Sequence, residues 1–292
     1  MIRPVTVGVD GAPECVAAAA WAAHEAVLRG VPLRVVHADP WPDGVKVRHD
    51  APEARRLWAE NLLAAIVETA RREHPSLEIE TRHLSGQPAE ALAEEAADAG
   101  LLVLGSRGLS GVRGFLLGSV GMATLHATER PVVLVRAPGR SAAPEQAAPS
   151  SSSHTVVVGV DIDQYFAPLM DFACQEAAVR GGRVLALHGW RIPPVVRDAS
   201  ALVAAEREMG PDMSRRLTQA LEPWRRRFPS VELAERCCVG GPAPLLLDSA
   251  RDADLVVVGR RVRRASLGTH IGPVTHAVMH HCAVPVAVIA HD

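Results

Sequence analysis

The sequence predicts an α/β protein of two tandem domains, each an open, doubly wound, five-stranded parallel sheet of the Rossmann-like type. Three observations support this prediction. The chain has 292 residues, which is enough for about two domains. Its second half repeats the first at an offset of roughly 151 to 154 residues. Within each half, short runs of Val, Leu and Ile alternate with longer amphipathic segments, which is the pattern of βα units around a buried parallel sheet.

The first half divides into five strands and four helices. Apolar runs predict strands near 4–10, 32–38, 77–83, 101–105 and 132–136. The amphipathic segments between them predict helices near 13–29, 53–73, 88–99 and 118–128. Gly30 follows the end of the first helix and Ser119 stands near the start of the last, as is typical of residues at helix ends. Sheets of this kind bind ligands at the carboxyl ends of the strands, where the strand order reverses.

The repeat preserves the order and spacing of short motifs. Residues 7–10 (VGVD) recur as 158–161 (VGVD), and residues 101–105 (LLVLG) recur as 255–259 (LVVVG). The second half is therefore expected to repeat the first, with strands near 155–161, 183–189, 231–238, 254–259 and 285–290.

A segment rich in Ser, Pro and Ala separates the two copies. It runs from about residue 137 to 155, has no apolar periodicity, and predicts a flexible linker. We therefore expect a first domain at 1–138, a linker at 139–154 and a second domain at 155–292.

Composition excludes several classes of protein. Hydrophobic residues make up 48% of the chain and charged residues 22%, which are ordinary values for a globular protein. The net charge of -2 and the 3% of aromatic residues argue against a nucleic-acid partner, and the charge argues equally against binding to a membrane surface. No apolar run approaches the roughly 20 residues that span a bilayer, so we expect a cytoplasmic protein. Five scattered cysteines predict reduced thiols.

A glycine-rich segment in the first copy has the properties of a phosphate-binding loop. It runs from Gly105, at the end of a predicted buried strand, to Ser119, at a predicted helix start. Glycines allow close approach of a ligand, and the first N–H groups of a helix attract anions. The Ser119 hydroxyl, with Arg107 or Arg113, would add a hydrogen bond and charge. The alternative is a glycine-rich turn with a serine cap.

The spacing within this segment resembles the nucleotide-binding signature of the universal stress protein family. Gly105 is followed by two residues, Gly108, nine residues and then Gly118-Ser119. The resemblance extends to the VGVD strand end, to the strand that finishes in Val36-His37-Ala38, and to both copies. It implies the adenine-nucleotide alpha-hydrolase-like form of the fold and a nucleotide-dependent regulatory or stress-response module that binds ATP, with or without Mg²⁺.

The resemblance also implies which residues contact the nucleotide. The adenosine positions match Gly8, Val9, Asp10 and Ala38, and the phosphate positions match Gly105, Arg107, Gly108, Gly118, Ser119 and Val120. A carboxylate at the end of a strand can accept hydrogen bonds from ribose hydroxyls, which suits Asp10. The alternative for Asp10 is a turn residue or a helix cap.

The second copy departs from the signature. The matching positions there are Asp161, Gly189, Gly259 and Gly272, but Val262 replaces the second glycine and Pro273 replaces the serine. Proline has no N–H to donate, so we expect the first domain to be the better site. Arg260, Arg261, Arg263 and Arg264 in the same loop could hold phosphates by charge instead.

Two further clusters are weaker candidates. His276 and His280 have the i, i+4 spacing of metal-binding pairs, but no Glu lies between them as in the H-E-x-x-H motif, so we expect no metal site. Cys237-Cys238 could be redox-active, although neighbours on a strand point to opposite faces, which favours one buried and one exposed thiol.

No residue set predicts a catalytic centre, so we expect a non-enzyme with at most slow ATP hydrolysis. A nucleotidyl-transfer enzyme on the same fold is one alternative, but the H-x-G-H motif typical of that class is replaced by residues 10–13 (DGAP). A dimerisation scaffold with vestigial pockets is the other. The resemblance implies intrachain pairing of the domains through their final strands, and it leaves open a homodimer and an unknown protein partner.

Overall fold

The computed structural model describes residues 3–39, 51–108, 115–137, 154–192, 199–262 and 271–292. Within these ranges, the side chains of residues 51, 52, 107, 108, 115, 116 and 199–202 are not described. The chain divides into two compact units, Met1–Glu145 (unit 1) and Gln146–Asp292 (unit 2). Almost all of the predicted linker 139–154, together with Arg113, Arg263 and Arg264, lies outside the described residues.

Unit 1 alternates strands and helices from its first strand onward. Its elements are β1 (Val5–Gly8), α1 (Pro13–Arg29), β2 (Leu33–Asp39), α2 (Ala51–Glu73), β3 (Ile79–Ser85), α3 (Pro88–Ala97), β4 (Leu101–Gly108), β5 (Phe115–Leu116), α4 (Ser119–Ala127) and β6 (Val132–Arg136).

The sheet of unit 1 has the strand order β3-β2-β1-β4-β6, and all of these strands are parallel. In register, Val7 of β1 lies beside Val35 of β2 on one side and Val103 of β4 on the other. The chain winds outward from β1 in one direction to β3 and then continues on the other side of β1 at β4. The order therefore reverses between β1 and β4, which is where ligands bind on sheets of this type.

Small side chains let helix α1 lie close to this sheet. Ala18, Ala22, Ala23 and Ala26 are fully buried along one face of α1. The strands present buried Val and Leu to this face, so the core is built almost entirely of aliphatic groups. Pro13 opens α1, and Gly30 ends it in the left-handed conformation, at φ 62°.

Unit 2 repeats the same alternation. Its elements are β7 (Thr155–Gly159), α5 (Ala167–Arg180), β8 (Arg183–Trp190), α6 (Ala199–Arg227), β9 (Glu232–Val239), α7 (Pro242–Ser249), β10 (Leu255–Arg261), α8 (Pro273–His281) and β11 (Val286–His291). The strands are parallel in the order β9-β8-β7-β10-β11, so β7 and β10 flank the reversal point in this unit.

The predicted fold class is confirmed, since each unit carries a parallel five-stranded sheet with alternating helices. One local prediction is wrong. Strand β4 does not end at Gly105 but continues to Gly108, because Arg107 and Gly108 pair in antiparallel fashion with Leu116 and Phe115 of the short strand β5. The first part of the predicted glycine-rich loop is therefore one arm of a small hairpin.

Among the described residues, no helix is both long enough and apolar enough to cross a membrane.

Candidate functional site

A cavity of about 490 Å³, here called cavity 1, opens in unit 1 at the reversal point of the sheet. It lies at the carboxyl ends of β1, β2 and β4 and at the start of α4. The predicted adenosine residues Gly8, Val9, Asp10 and Ala38 line it, and so do the predicted phosphate residues Gly105, Gly118, Ser119 and Val120. For Arg107 and Gly108 the structure gives only a backbone position in β4, with no description of their side chains.

Asp10 lies in the loop between β1 and α1, where its carboxylate has a local role. Its Oδ1 accepts a hydrogen bond of 3.0 Å from the N–H of Ala12, the N-cap residue of α1. This is the turn that the sequence left as an alternative for Asp10. The side chain is nevertheless exposed at the edge of cavity 1, so the turn and a ligand contact are compatible.

The ring of His37 forms part of the cavity wall at the end of β2. Its Nδ1 donates a hydrogen bond of 2.8 Å to the carbonyl oxygen of Val9. The ring stacks on His83, with centroids 5.8 Å apart, and meets Trp58 edge-on at 5.3 Å. The side chain is buried, so these contacts hold one orientation of the ring.

Helix α2 contributes residues that the sequence analysis missed. Trp58 lines cavity 1 and is 50% exposed, which is unusual for the largest aromatic side chain. It lies over Gly11, whose φ is +80° and whose Cβ, if present, would be 2.7 Å from Trp58 Cζ2. Arg55, one turn earlier, has its Nε 3.8 Å from the Asp39 carboxylate. The unusual placement of a Trp on a polar helix was the available signal.

The start of α4 provides main-chain hydrogen-bond donors at the other end of cavity 1. Gly118 is the N-cap, and the N–H of Met122 donates to its carbonyl oxygen at 2.9 Å. The N–H groups of Ser119, Val120 and Gly121 come before Met122, whose N–H is the first to donate within the helix, so they have no helical carbonyl as acceptor. They lie at the positive end of the helix and line the cavity.

The two glycines of the signature serve different purposes. A Cβ on Gly105 would lie 2.9 Å from the backbone carbonyl group of Glu14, so a glycine here allows α1 to pack against β4. Gly118 has an ordinary φ of -60°, and a Cβ there would meet no atom of the described residues within 4 Å. The fold does not require glycine at 118. The open space beside it is what a ligand at the start of α4 would occupy.

Charged groups around cavity 1 are mainly acidic among the described side chains. Asp10, Glu14 and Asp39 line it together with Arg55. Cys15 also lines it; burial raises the pKa of this thiol, and the N–H groups of Asp10 and Gly11 offset that effect only in part. The thiol is therefore neutral near pH 7.

A second cavity of about 610 Å³, here called cavity 2, occupies the matching place in unit 2. Asp161, Gly189, Gly259 and Gly272 all line it, as the repeat predicts. At two of these positions, close packing explains why the residue is glycine. A Cβ on Gly189 would lie 2.9 Å from Pro242 Cα, and one on Gly259 would lie 2.6 Å from the ring of His291.

The helix start in cavity 2 offers fewer donors than the one in cavity 1. Pro273 is the first residue of α8 and has no N–H, so the main-chain donors are those of Val274 and Thr275. The Thr275 hydroxyl donates to the carbonyl oxygen of Gly259 at 2.6 Å, which ties α8 to β10. Gly272 matches Gly118, since its φ is -62° and a Cβ there would also meet none of the atoms that the structure describes.

Neither of the two remaining clusters is among the residues that line cavity 1 or cavity 2. His276 and His280 have ring centroids 4.2 Å apart on α8. Within the part of the chain that the structure describes, no three His, Cys, Asp or Glu side chains are grouped so as to hold a metal ion. Burial raises the pKa of Cys237, and a hydrogen bond with Ser214 acts in the opposite direction. Both Cys237 and Cys238 are half-buried, so the expected division into a buried and an exposed thiol is wrong.

Comparison with known proteins identifies the family. The model of the universal stress protein family matches residues 1–136 and again residues 153–290, which together are most of the chain. The chain belongs to the universal stress protein family.

Curated relatives of this universal stress protein have the same tandem length. A universal stress protein of Mycobacterium tuberculosis is 32% identical, over 97% of this chain and 94% of the relative. One from Mycolicibacterium smegmatis is 29% identical, over 98% of this chain and 96% of the relative. The family predicted from the glycine spacing is therefore confirmed.

A solved structure shows the same fold. The crystal structure of a universal stress protein from Archaeoglobus fulgidus matches with a TM-score of 0.68 and 17% identity, covering 99% of this chain and 98% of that one. At this identity the match establishes the two-repeat fold of the chain.

Proposed function

We propose that this universal stress protein binds an adenine nucleotide, ATP in the first instance, in cavity 1, and that occupancy of the cavity regulates its interactions in a stress response. The observation that carries the proposal is the start of α4. There, the N–H groups of Ser119, Val120 and Gly121 have no helical acceptor, and the described residues leave open space beside Gly118. Loops of this kind hold phosphates on family members with the same glycine spacing.

The rest of cavity 1 suits the remainder of such a ligand. Asp10 lies at the edge of cavity 1, in the crevice where a carboxylate can accept hydrogen bonds from ribose hydroxyls. Trp58 presents half of its surface beside the end of β2, where an aromatic base could stack. A volume of about 490 Å³ is within the usual range for small-molecule sites.

The phosphate charge would be balanced from three sources in this proposal. The positive end of α4 supplies partial charge, and Arg107 supplies a full charge from the end of β4. Mg²⁺ would accompany the nucleotide and complete the balance, because the described carboxylates at cavity 1 would otherwise repel a polyphosphate.

The proposed role is regulatory rather than catalytic, with at most slow hydrolysis. Binding energy at the helix start and at Asp10 would stabilise one conformation of unit 1, and an unknown protein partner would recognise that conformation. The proposal includes a cytoplasmic location. Its assembly as a dimer would be measured by light scattering with and without ATP.

The first experiment is to purify the full chain without added nucleotide, denature it, and identify and count the released small molecules by chromatography and mass spectrometry. About one ATP or ADP per chain supports the proposal. An empty protein that also fails to bind ATP by calorimetry contradicts it, and favours a scaffold with vestigial pockets.

A further inference from the structure

The outer side of helix α1, which points away from the sheet, is apolar. Val16 and Val27 are 51% and 44% exposed, and Ala20 between them is also exposed. The half-buried side chains of Trp21 and Leu28 flank them. These five residues are here called the α1 face.

This pattern is unusual for a helix at the surface of a globular unit. The opposite side of α1 is apolar as well, since Ala18, Ala22 and Ala26 are fully buried there. A surface helix normally carries charged or polar residues on its outer side, and a helix that is apolar all round is normally buried. Residues 15–24 include no Asp, Glu, Lys or Arg. The outer side of α1 is therefore suited to contact another apolar surface.

Helix α5 occupies the corresponding place in unit 2, and its outer side is different. An offset of 151 residues aligns Ala20 with Asp171. The Asp171 carboxylate accepts hydrogen bonds from Trp224 Nε1 at 2.7 Å and from Arg227 at 2.8 Å, both of which lie on α6. The matching surface of unit 2 is thus polar and bonded within its own unit, so the repeat itself does not require an apolar surface here.

The spacing along the outer side of α1 is that of a contact between two helices. Pro13, Val16, Ala20, His24 and Val27 recur at intervals of three or four residues, so they form one line along the helix. This line is symmetric about Ala20, its smallest residue. Val16 and His24 lie four residues to either side of it, and Pro13 and Val27 lie seven residues to either side.

A line with this symmetry is complementary to a second copy of itself in antiparallel orientation. With a two-fold axis at Ala20, each Ala20 would meet the other, which lets the helices approach closely. Val16 would then lie against the second copy's His24, and Val27 against the second copy's Pro13. The apolar residues of one copy would therefore cover those of the other.

The charges at the ends of α1 also favour the antiparallel orientation. Glu14 is in the first turn of the helix and Arg29 is in the last. An antiparallel pair would place the first turn of one helix beside the last turn of the other, so that opposite charges and opposite ends of the helix dipoles are neighbours. A parallel pair would bring like charges together.

The α1 face is small for a protein interface. The helix has 17 residues, so it is about 25 Å long and, with its side chains, about 10 Å wide. A contact of this size is well below the roughly 800 Å² per partner of a standard complex. It fits a reversible dimer that forms as the protein concentration rises.

We propose that a second copy of this chain docks on the α1 face, with α1 against α1 in antiparallel orientation, and forms a reversible dimer whose two-fold axis passes Ala20. The α1 face is not among the residues that line cavity 1 or cavity 2. The proposal therefore does not depend on what either cavity binds.

The first test is disulfide formation between copies of the full chain. Ala20→Cys places a thiol at the two-fold axis, where the two Cα atoms fall within the span of a disulfide. Val27→Cys is the control on the same helix, because the two thiols would be about 20 Å apart along the helix axis. Mild oxidation followed by non-reducing gel electrophoresis measures the linked dimer. We expect about fivefold or more of it from Ala20→Cys than from Val27→Cys or the unmodified chain.

The second test needs no oxidation. Ala20→Glu sets two carboxylates opposite each other at the axis, whereas Ala178→Glu makes the same change at an exposed position of α5. Sedimentation velocity over a concentration series measures the dissociation constant of the dimer. We expect Ala20→Glu to raise this constant about tenfold or more and Ala178→Glu to leave it unchanged. Urea unfolding checks that both variants fold, and Ala20→Cys, a smaller change, keeps the contact testable if Ala20→Glu does not.

Three results overturn the proposal. The unmodified chain stays monomeric throughout the concentration series, Ala20→Glu associates as strongly as the unmodified chain, or Val27→Cys forms linked dimer as readily as Ala20→Cys. The second result would indicate a dimer that uses another surface, and the third a parallel or non-specific contact. All of these measurements are made without nucleotide, so their failure leaves ATP binding in cavity 1 to be decided by its own experiment.

Discussion

The Nδ1 atom of His37 donates a hydrogen bond to the carbonyl oxygen of Val9 across 2.8 Å, which joins the end of β2 to the loop after β1. His188 and Val160 repeat this bond at 3.0 Å in unit 2. A histidine held in this way therefore lines each cavity. The helix starts that line the cavities differ, because Ser119 begins α4 whereas Pro273 begins α8. The two units therefore share the histidine contact at the end of the second strand and differ in the number of main-chain N–H donors at the helix start.

Gly118→Leu is expected to lower the affinity of the chain for ATP by about tenfold or more, because the side chain would fill the space at the start of α4. Stability should fall by no more than about 1 kcal/mol, the usual cost of leucine in place of glycine at an N-cap, since the φ of -60° suits any residue and the added Cβ meets no atom of the described residues. Calorimetry and urea unfolding measure the two quantities.

Gly272→Leu is the matched control, because it changes the same position of unit 2. It should leave the affinity of cavity 1 for ATP unchanged. Equal ATP binding by Gly118→Leu and the unmodified chain would show that phosphates do not lie at the start of α4.

Gly105→Ala is expected to destabilise the protein by about 1–3 kcal/mol, because its Cβ would lie 2.9 Å from the Glu14 backbone in a helix that cannot retreat without disturbing the core. Urea unfolding monitors this change, with Gly118→Ala as the substitution that adds the same methyl group in open space. Equal stability of the two variants would contradict the packing role of Gly105.

The contrast between these glycines shows what the sequence can and cannot predict. The spacing of Gly105 and Gly118 correctly predicts the family, and both glycines line cavity 1, because local signals define where strands end and helices begin. It does not tell which glycine borders open space and which one a packed helix requires, since that depends on how closely α1 approaches β4. Tertiary contacts alone reveal the difference.

Tertiary packing also explains why the sequence analysis missed two residues that line cavity 1. Trp58 and Arg55 lie far from the motif in sequence and reach cavity 1 only because α2 packs beside the ends of the strands. Strand β5 has two residues, which is too short for any periodicity to indicate.

Arg34→Met is expected to destabilise unit 1 by about 3 kcal/mol, because it removes the main partner of a buried carboxylate. Arg34 Nη1 lies 2.6 Å from Glu95, which is 8% exposed, and its Nε lies 3.0 Å from Glu80. Arg82 also contacts Glu95, at 3.2 Å, but is itself half-exposed.

Arg56→Met provides the comparison for this measurement, because the Arg56–Glu60 pair lies in solvent on α2. Its effect on the urea midpoint should be much smaller, as is usual for exposed pairs. Similar midpoints for the two variants would show that Glu95 finds sufficient compensation without Arg34.

Cys174 is expected to make the protein less stable at alkaline pH. Burial, with a smaller contribution from the charge of Asp171, raises the pKa of this thiol to about 12, from an ordinary value of 9.0. Below pH 9 the thiol is neutral in both the folded and the unfolded chain and adds no pH dependence. Between pH 9 and 12 the unfolded chain loses this proton while the folded chain keeps it, so stability falls as the pH rises. Urea unfolding at pH 8, 9 and 10 would measure the decline, and Cys174→Ala should reduce its slope while lowering stability at pH 8 by the small cost of a lost sulfur atom. An equal slope in the variant and the unmodified chain would mean that Cys174 ionises as readily in the folded protein as in the unfolded one.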